Sequence, residues 1–255
     1  FISKLKDIGV KLIVITIDGH KDLHNNYRFL KNGRETYEKI LKNITKIYQT
    51  HGDTIKFNIR TNFDKNNVDI DNYELLIKDF KQIGIKNISF IFSQIQKTIS
   101  GNGSNVFDVL SNEEYNEIEN KIRKILIKYN FNKSLDFLPK KLDYFNCYAG
   151  SDNGFAINYN GDIYKCFGDV NPPQNQVGKL LEDGNINYFP NEIIKWYNYD
   201  FFESSKCRSC VILPTCMGGC VKIRLGFDIY NNSECDREKA VQDTKEKIRR
   251  AYLLS

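Results

Sequence analysis

Apolar residues in the first 130 positions switch repeatedly between two spacings. The short, nearly continuous apolar run at 12–18 is typical of a buried parallel strand, and the apolar residues of 34–50 then recur at helical spacing. The same change follows twice more, with strands predicted at 54–60 and 87–93, a helix at 71–83, and a last helix that starts at the capping-box pair Ser111 and Glu114. Three strand–helix units in succession predict a parallel α/β fold.

The pattern of predicted elements changes after this α/β part, from long helices and strands to short strands. Two short strand-like segments, at 155–159 and 162–166, flank Asn160-Gly161, the commonest signal for a two-residue hairpin. A further strand is predicted at 177–181. The predicted organisation is an α/β domain at 1–130, a connector at 131–146, a small cysteine-rich α+β domain at 147–235 and a polar C-terminal helix at 236–255.

Composition narrows the class of protein. The chain has 255 residues, 41% of them hydrophobic, which is sufficient for a globular core. Its net charge of +5 comes from lysines spread along the chain, whereas a nucleic-acid surface needs a concentrated basic face. No segment approaches the roughly 18 consecutive apolar residues of a membrane span. We therefore expect neither nucleic acid nor membrane as a partner. Phe1 already lies in a predicted helix, so we expect the natural protein to begin earlier.

The cysteines are distributed unevenly. All seven lie in the second part of the chain, in the order Cys147, Cys166, Cys207-x2-Cys210-x5-Cys216-x3-Cys220, Cys235. Their odd number and the Cys-x2-Cys spacing favour reduced, metal-bound thiols in the cytoplasm over disulfides. Thiolates bind zinc, iron–sulfur clusters or copper, and seven thiolates are one short of two four-cysteine sites. Spacing alone leaves open both iron–sulfur clusters and a single zinc knuckle with three bystander cysteines.

The order of these spacings resembles the SPASM domain, the twin-cluster extension at the C-terminal end of many radical S-adenosylmethionine (radical SAM) enzymes. The resemblance covers all seven cysteines and Gly161 of the hairpin. The segment 15–19, Ile-Thr-Ile-Asp-Gly, followed by His24 and Arg28, is similar to the fourth strand of the same enzymes, although Asn25 follows His24 where the family has an aspartate. The implied fold is the C-terminal half of a partial (β/α)6 barrel, with three βα units, followed by a SPASM domain.

The resemblance also implies which cysteines share a cluster. Two auxiliary [4Fe–4S] clusters are expected, the first held by Cys147, Cys166 and Cys220, and the second held by Cys207, Cys210, Cys216 and Cys235. Family members with a fully ligated first cluster carry an extra cysteine a few residues earlier, and positions 141–146 contain none. We therefore expect an open or non-cysteine position on the Cys147 cluster, which could accept a substrate thiolate.

Polar residues on the predicted strands are candidates for the lumen of the barrel. Thr16 and Arg60 are the candidate contacts for S-adenosylmethionine (SAM), with Asp18, Asn58 and Ser89 on the same side of their strands. Arg60 could instead lie on the surface or pair with Asp18 or Asp64. His24 and Arg28 fit a substrate contact and a capped loop start equally well.

The family resemblance implies an enzyme that modifies a peptide or protein by radical hydrogen abstraction. The full-length protein would use SAM, a third [4Fe–4S] cluster and an electron donor such as ferredoxin or flavodoxin. The open position favours thioether formation in a ribosomal peptide. The Cys-x3-Cys-x2-Cys loop of the SAM cluster is absent from this sequence, so the chain alone is predicted to be inactive.

Other classes of protein stay open at this point. An anaerobic sulfatase-maturation-like oxidase is one, although Phe167 follows Cys166 where that branch has an aspartate. A non-catalytic zinc-binding interaction module and a ferredoxin-like electron carrier are the others.

Overall fold

The computed structural model describes residues 2–95, 108–131, 147–170, 173–226, 235 and 237–253. The described residues up to 131 form one compact unit, and those from 147 onward form the other. In the described part of the chain, no helix combines the length and the apolar character needed to cross a membrane.

The first unit alternates helices and strands. Its elements are α1 (Ile2–Asp7), β1 (Leu12–Thr16), α2 (Lys21–Tyr27), α3 (Tyr37–His51), β2 (Lys56–Phe63), α4 (Ile70–Ile83), β3 (Ile88–Gln94) and α5 (Asn112–Lys128). Local sequence explains several helix ends. The Asp69 side chain caps α4 by accepting from the backbone N–H of Asn72, and Ser111 and Glu114 form the predicted capping box of α5.

The three strands form a parallel sheet in the order β1-β2-β3. Along β2, buried and half-exposed side chains alternate, so Phe57, Ile59 and Phe63 enter the core. Helices α3, α4 and α5 contribute to the same core. The opposite side of β2 carries Asn58, Arg60 and Asn62, and this side is called the polar sheet face below.

The second unit is built on a small antiparallel sheet in the order β4-β5-β6-β7. Its elements are β4 (Ala156–Ile157), β5 (Asp162–Tyr164), β6 (Gln176–Leu180), β7 (Ile186–Tyr188), α6 (Pro190–Tyr197), α7 (Ser205–Arg208), α8 (Leu213–Cys216), α9 (Val221–Arg224) and α10 (Arg237–Leu253). Ile163, Val177, Trp196 and Val221 lie in its core. The core thus joins the sheet to α6 and to α9, the short helix that begins directly after Cys220.

Most predicted elements coincide with observed ones. The three predicted strands of the first unit are present and parallel. The predicted hairpin is formed, but its loop is longer than the two residues expected, because Ile157 pairs with Ile163 and the Asn158 N–H donates to the Asp162 carbonyl. Gly161, at a φ of 82°, is the last residue of this three-residue loop. Strand β7 and the helices α2, α6, α7, α8 and α9 were not predicted as elements from the sequence. Almost all of the predicted connector, residues 132–146, lies outside the described residues. The partial barrel, the SPASM assignment and the domain boundaries stay predictions.

Candidate metal centre

Four of the seven cysteines line one cavity of the second unit. Cys207, Cys210, Cys216 and Cys235, each half-buried, surround about 360 Å³ of empty space, part of it open to solvent. This space is called the four-cysteine cavity below. Ile212, Leu213 and Ala240 give it apolar walls, and three cationic side chains also line it: Lys206, Arg224 and Arg237.

Short turns bring three of these cysteines to the cavity. Cys207 lies in α7, and the backbone N–H of Cys210 donates to the Cys207 carbonyl at 2.9 Å, so a tight turn presents both side chains. Cys216 ends α8, whose first turn contains Pro214, a residue that tolerates this position because it needs no backbone donor there.

Arg237 ties the fourth cysteine's segment to the first turn. Its guanidinium donates to the Ser209 hydroxyl at 3.2 Å and to the Ser209 carbonyl at 2.5 Å. Ser209 lies between Cys207 and Cys210, and Arg237 lies two residues after Cys235. The start of α10 is therefore attached directly beside the Cys207–Cys210 turn.

The surroundings of Cys216 act on the pKa of its thiol. Burial raises the pKa of Cys216, and the neighbouring Cys235, Cys207 and Cys210 raise it further, while Arg224 acts in the opposite direction. Thiolates are the metal-binding form, so metal binding here must release protons. The cationic side chains favour the negative charge that remains once the thiols are deprotonated.

This donor set fits a four-iron cluster. Four soft thiolates are the ligands that zinc and iron–sulfur clusters take. Within the described ranges, no group of three or more His, Cys, Asp or Glu side chains is arranged to hold a single metal ion. The four thiols line one cavity, and a [4Fe–4S] cluster takes one thiolate at each of its four irons. Cys207, Cys210, Cys216 and Cys235 are the residues that would hold it.

The other three cysteines belong to neighbouring segments of the second unit. The Tyr148 hydroxyl accepts a hydrogen bond from the Phe167 backbone N–H at 2.6 Å, and the two rings stack with centroids 6.0 Å apart. Because Tyr148 follows Cys147 and Phe167 follows Cys166, this contact brings the segments of these two cysteines together. Their common ligation with Cys220 stays a prediction.

A second cavity adjoins Cys147. It encloses about 480 Å³ of space, part of it open to solvent, and is called the aromatic cavity below. Its lining residues are Cys147, Gly150, Asp152, Trp196, Tyr197, Tyr199, Phe201, Met217, Gly219 and Val221. Gly219 and Val221, the chain neighbours of Cys220, are among these lining residues.

One turn separates the two cavities. Met217 and Gly219 line the aromatic cavity, whereas Gly218 between them lines the four-cysteine cavity. All three residues have positive φ angles, of 46°, 80° and 82° in chain order. Such a turn favours glycine, and the two glycines stand at its second and third positions.

The candidate SAM contacts lie side by side in the first unit. Thr16 and Arg60 are register partners on β1 and β2. The Arg60 Nε donates to Asn62 Oδ1 at 3.1 Å, and on the same polar sheet face the Ser89 hydroxyl donates to Asn58. Their role in binding SAM stays a prediction.

Asp18 takes a partner that sequence reasoning did not assign to it. Its carboxylate is almost fully buried and pairs with Arg28 Nε at 2.5 Å. The same carboxylate accepts from the Asn62 backbone N–H at 2.9 Å. Asp18 thus links the loop after β1 to β2.

The sequence left a substrate contact and a structural role in the loop open for His24, and the structure favours the structural role. It is fully buried, and burial lowers its pKa from 6.5 to about 4, so the ring is neutral near pH 7. The Asp18 backbone N–H donates to Nδ1 at 3.2 Å, which places the ring proton on Nε2, 3.1 Å from the Thr36 hydroxyl. That hydroxyl donates onward to the Arg28 carbonyl at 2.6 Å. His24 therefore holds the loop in place.

Several residues of the second unit were missed from the sequence. Lys165 is fully buried, and its ammonium donates to the Ser151 carbonyl at 2.6 Å between the rings of Phe155 and Tyr197. Tyr199 and Arg224 contact the turn between the cavities. The sequence positions of these three residues form no recognisable motif, because each contact arises only when the chain folds.

Known proteins resemble this chain in sequence and in fold. A scan against protein-family models finds no match. The chain is 26% identical over 226 residues to a cysteine-type anaerobic sulfatase-maturating enzyme of Clostridium novyi (strain NT), which corresponds to 82% of this chain and 57% of that protein. The chain thus spans little more than half the length of this curated relative.

Solved structures of anSMEcpe share the fold. The structure with bound AdoMet matches with a TM-score of 0.58 and 16% identity, over 98% of this chain and 68% of that chain. The structure with bound AdoMet and Cp18Cys peptide matches with a TM-score of 0.55 and 18% identity, over 94% of this chain and 67% of that chain.

Proposed function

We propose that this protein, which is homologous to an anaerobic sulfatase-maturating enzyme of the radical SAM/SPASM family, is itself part of a radical SAM enzyme that modifies a peptide or protein. One observation carries the proposal. Cys207, Cys210, Cys216 and Cys235 come from three separate short segments and line a single cavity beside cationic side chains. This is the arrangement that an auxiliary iron–sulfur cluster needs.

The residues of this chain would bind the cofactors and position them. Cys207, Cys210, Cys216 and Cys235 would supply four thiolates to one auxiliary cluster, and Cys147, Cys166 and Cys220 would supply three to the other. Thr16 and Arg60 on the polar sheet face would bind SAM, where the Arg60 guanidinium is suited to a carboxylate. The clusters and SAM supply the electron transfer and the radical that abstracts hydrogen from the substrate.

The substrate is proposed to be a cysteine-containing peptide or protein. Three cysteines around the Cys147 cluster leave one ligand position, and thiolates are the natural ligands of such iron. A substrate cysteine held there favours the formation of a thioether. Ferredoxin or flavodoxin is the proposed electron donor.

A second candidate reaction is oxidation of a substrate side chain without a new cross-link. The similarity to a cysteine-type sulfatase-maturating enzyme favours it. Phe167 argues against it, because its hydrocarbon ring cannot accept a proton in the position where that branch carries an aspartate. Tandem mass spectrometry of a cysteine peptide that has been incubated with the enzyme distinguishes the two reactions. A thioether cross-link suppresses fragmentation between the two residues that it joins, whereas side-chain oxidation without a cross-link does not.

The proposal is tested by counting metal in the anaerobically reconstituted full-length protein. The wild type should be brown and bind about twelve irons with matching sulfide, about eight of them in the two auxiliary clusters. Cys210→Ser should lose about four irons, because a hydroxyl is a poor ligand for these clusters. The adjacent Val211→Ala is the matched control, since Val211 is 75% exposed. A colourless protein that binds only zinc would overturn the proposal.

A further inference from the structure

A single backbone carbonyl anchors the turn between the two cavities. The Gly218 carbonyl accepts a hydrogen bond from the Tyr199 hydroxyl at 3.3 Å and another from Arg224 Nε at 3.1 Å. Gly218 faces the four-cysteine cavity, and its two neighbours face the aromatic cavity. The two donors therefore fix the position of the wall that both cavities share.

Tyr199 lies within electrostatic reach of both predicted ligand sets. Burial raises the pKa of its hydroxyl, and the thiols of Cys207, Cys216 and Cys220 raise it further, while Arg224 opposes them. Cys207 and Cys216 belong to the four-cysteine set, whereas Cys220 belongs to the other. Tyr199 also lines the aromatic cavity with Cys147, and its hydroxyl donates to Gly218, which lines the four-cysteine cavity.

Arg224 brings a permanent positive charge to the same place. It lines the four-cysteine cavity, and its guanidinium lies beside Gly219, since a Cβ built there would be 3.9 Å from Nε and Nη2. An arginine stays charged at every accessible pH. A nearby cation stabilises the additional negative charge that a cluster gains when it takes up an electron.

We propose that Tyr199 and Arg224 are positioning residues that fix the separation of the two auxiliary clusters, and that the Arg224 charge raises the reduction potential of the cluster in the four-cysteine cavity. This inference rests on the proposed function, because it requires both clusters to be present. It assigns a task to two side chains that are not themselves ligands.

The charge is tested by redox titration of the reconstituted full-length protein, followed by electron paramagnetic resonance. Arg224→Gln should change the ratio of reduced to oxidised cluster at least about tenfold at a fixed potential, a downward shift of about 59 mV for one electron. Arg224→Lys keeps the positive charge, and the reduction potential of this variant should equal that of the wild type. A wild-type potential in Arg224→Gln, with the iron content intact, would overturn the inference.

The hydrogen bond is tested by the rate at which iron is released to a chelator. Tyr199→Phe removes only the hydroxyl and should accelerate release about fivefold, the ratio that one neutral hydrogen bond supports. Tyr197→Phe is the matched control, because its hydroxyl makes a similar bond of 3.2 Å to the Asp152 carbonyl in the aromatic cavity. Equal release rates in the two variants would contradict the role of Tyr199.

These results separate the two proposals. Failure of the wild type to bind iron would remove the proposed function and the inference together. A wild type with both clusters, whose potential and iron release do not respond to these variants, would remove the inference alone. If Arg224→Gln binds no iron, its reduction potential cannot be measured, and the iron-release rates of Tyr199→Phe and Tyr197→Phe then decide whether the inference stands.

Discussion

Replacing Gly218 with alanine tests whether the turn between the two cavities depends on close packing. A Cβ atom at this position would lie 2.4 Å from Phe201 Cβ and 2.9 Å from the Tyr199 hydroxyl oxygen. Carbon atoms cannot approach so closely, so the turn or the aromatic side chains must move. The Tyr199 hydroxyl, which donates to the Gly218 carbonyl, is among the displaced atoms.

Gly219 provides a control at the next residue. Its φ of 82° nearly equals the 80° of Gly218, so alanine meets the same left-handed backbone at both positions, at a cost of about 1–2 kcal/mol each. A Cβ at Gly219 has its nearest neighbour 3.9 Å away and meets no clash. Overpacking at Gly218 adds about 1–3 kcal/mol. The difference between the two variants therefore isolates the packing contribution.

The assay is hydrogen exchange of the second unit in the full-length protein, together with the iron bound after reconstitution. Gly218→Ala should lower the free energy of opening about 1–3 kcal/mol more than Gly219→Ala does, and it should bind less iron in the four-cysteine cavity. Equal opening energies and equal iron contents in the two variants would refute the packing argument.

Two further predictions concern the first unit. Because the pKa of His24 is about 4 when folded and 6.5 otherwise, its stabilisation is complete above pH 6.5 and is lost as the pH falls toward 4, with an upper limit of about 3 kcal/mol. His24→Asn should remove this part of the pH dependence, and NMR titration of the ring checks it; a His24 that protonates near pH 6.5 would contradict the assignment. Ser111→Ala should lower the unfolding free energy by about 1 kcal/mol, because it removes the side-chain acceptor for the Glu114 N–H, and an unchanged urea midpoint would contradict the cap.

Local patterns sufficed for much of the fold. The alternation along β2 identified its buried side because a strand places successive side chains on opposite faces. The hairpin at Asn160-Gly161 and the cap at Ser111 are also local, and both are present. Strand β7 has only three residues, which is too short for a periodic signal.

The site could be predicted only as far as spacing and family resemblance reach. The cysteine order suggested which four thiols share a centre, and those four line one cavity. The roles of Tyr199, Arg224 and Arg237 depend on contacts that only the folded chain creates. His24 shows the opposite case, since a residue that fits a substrate contact in sequence is buried among structural hydrogen bonds.

The most direct test of the account is an anomalous scattering measurement at the iron absorption edge, on crystals of the anaerobically reconstituted full-length protein. If these thiols hold an iron–sulfur cluster, strong iron density should lie inside the cavity lined by Cys207, Cys210, Cys216 and Cys235, with each sulfur bonded to a different iron. A single zinc ion at this place, or four thiols without any bound metal, would contradict it.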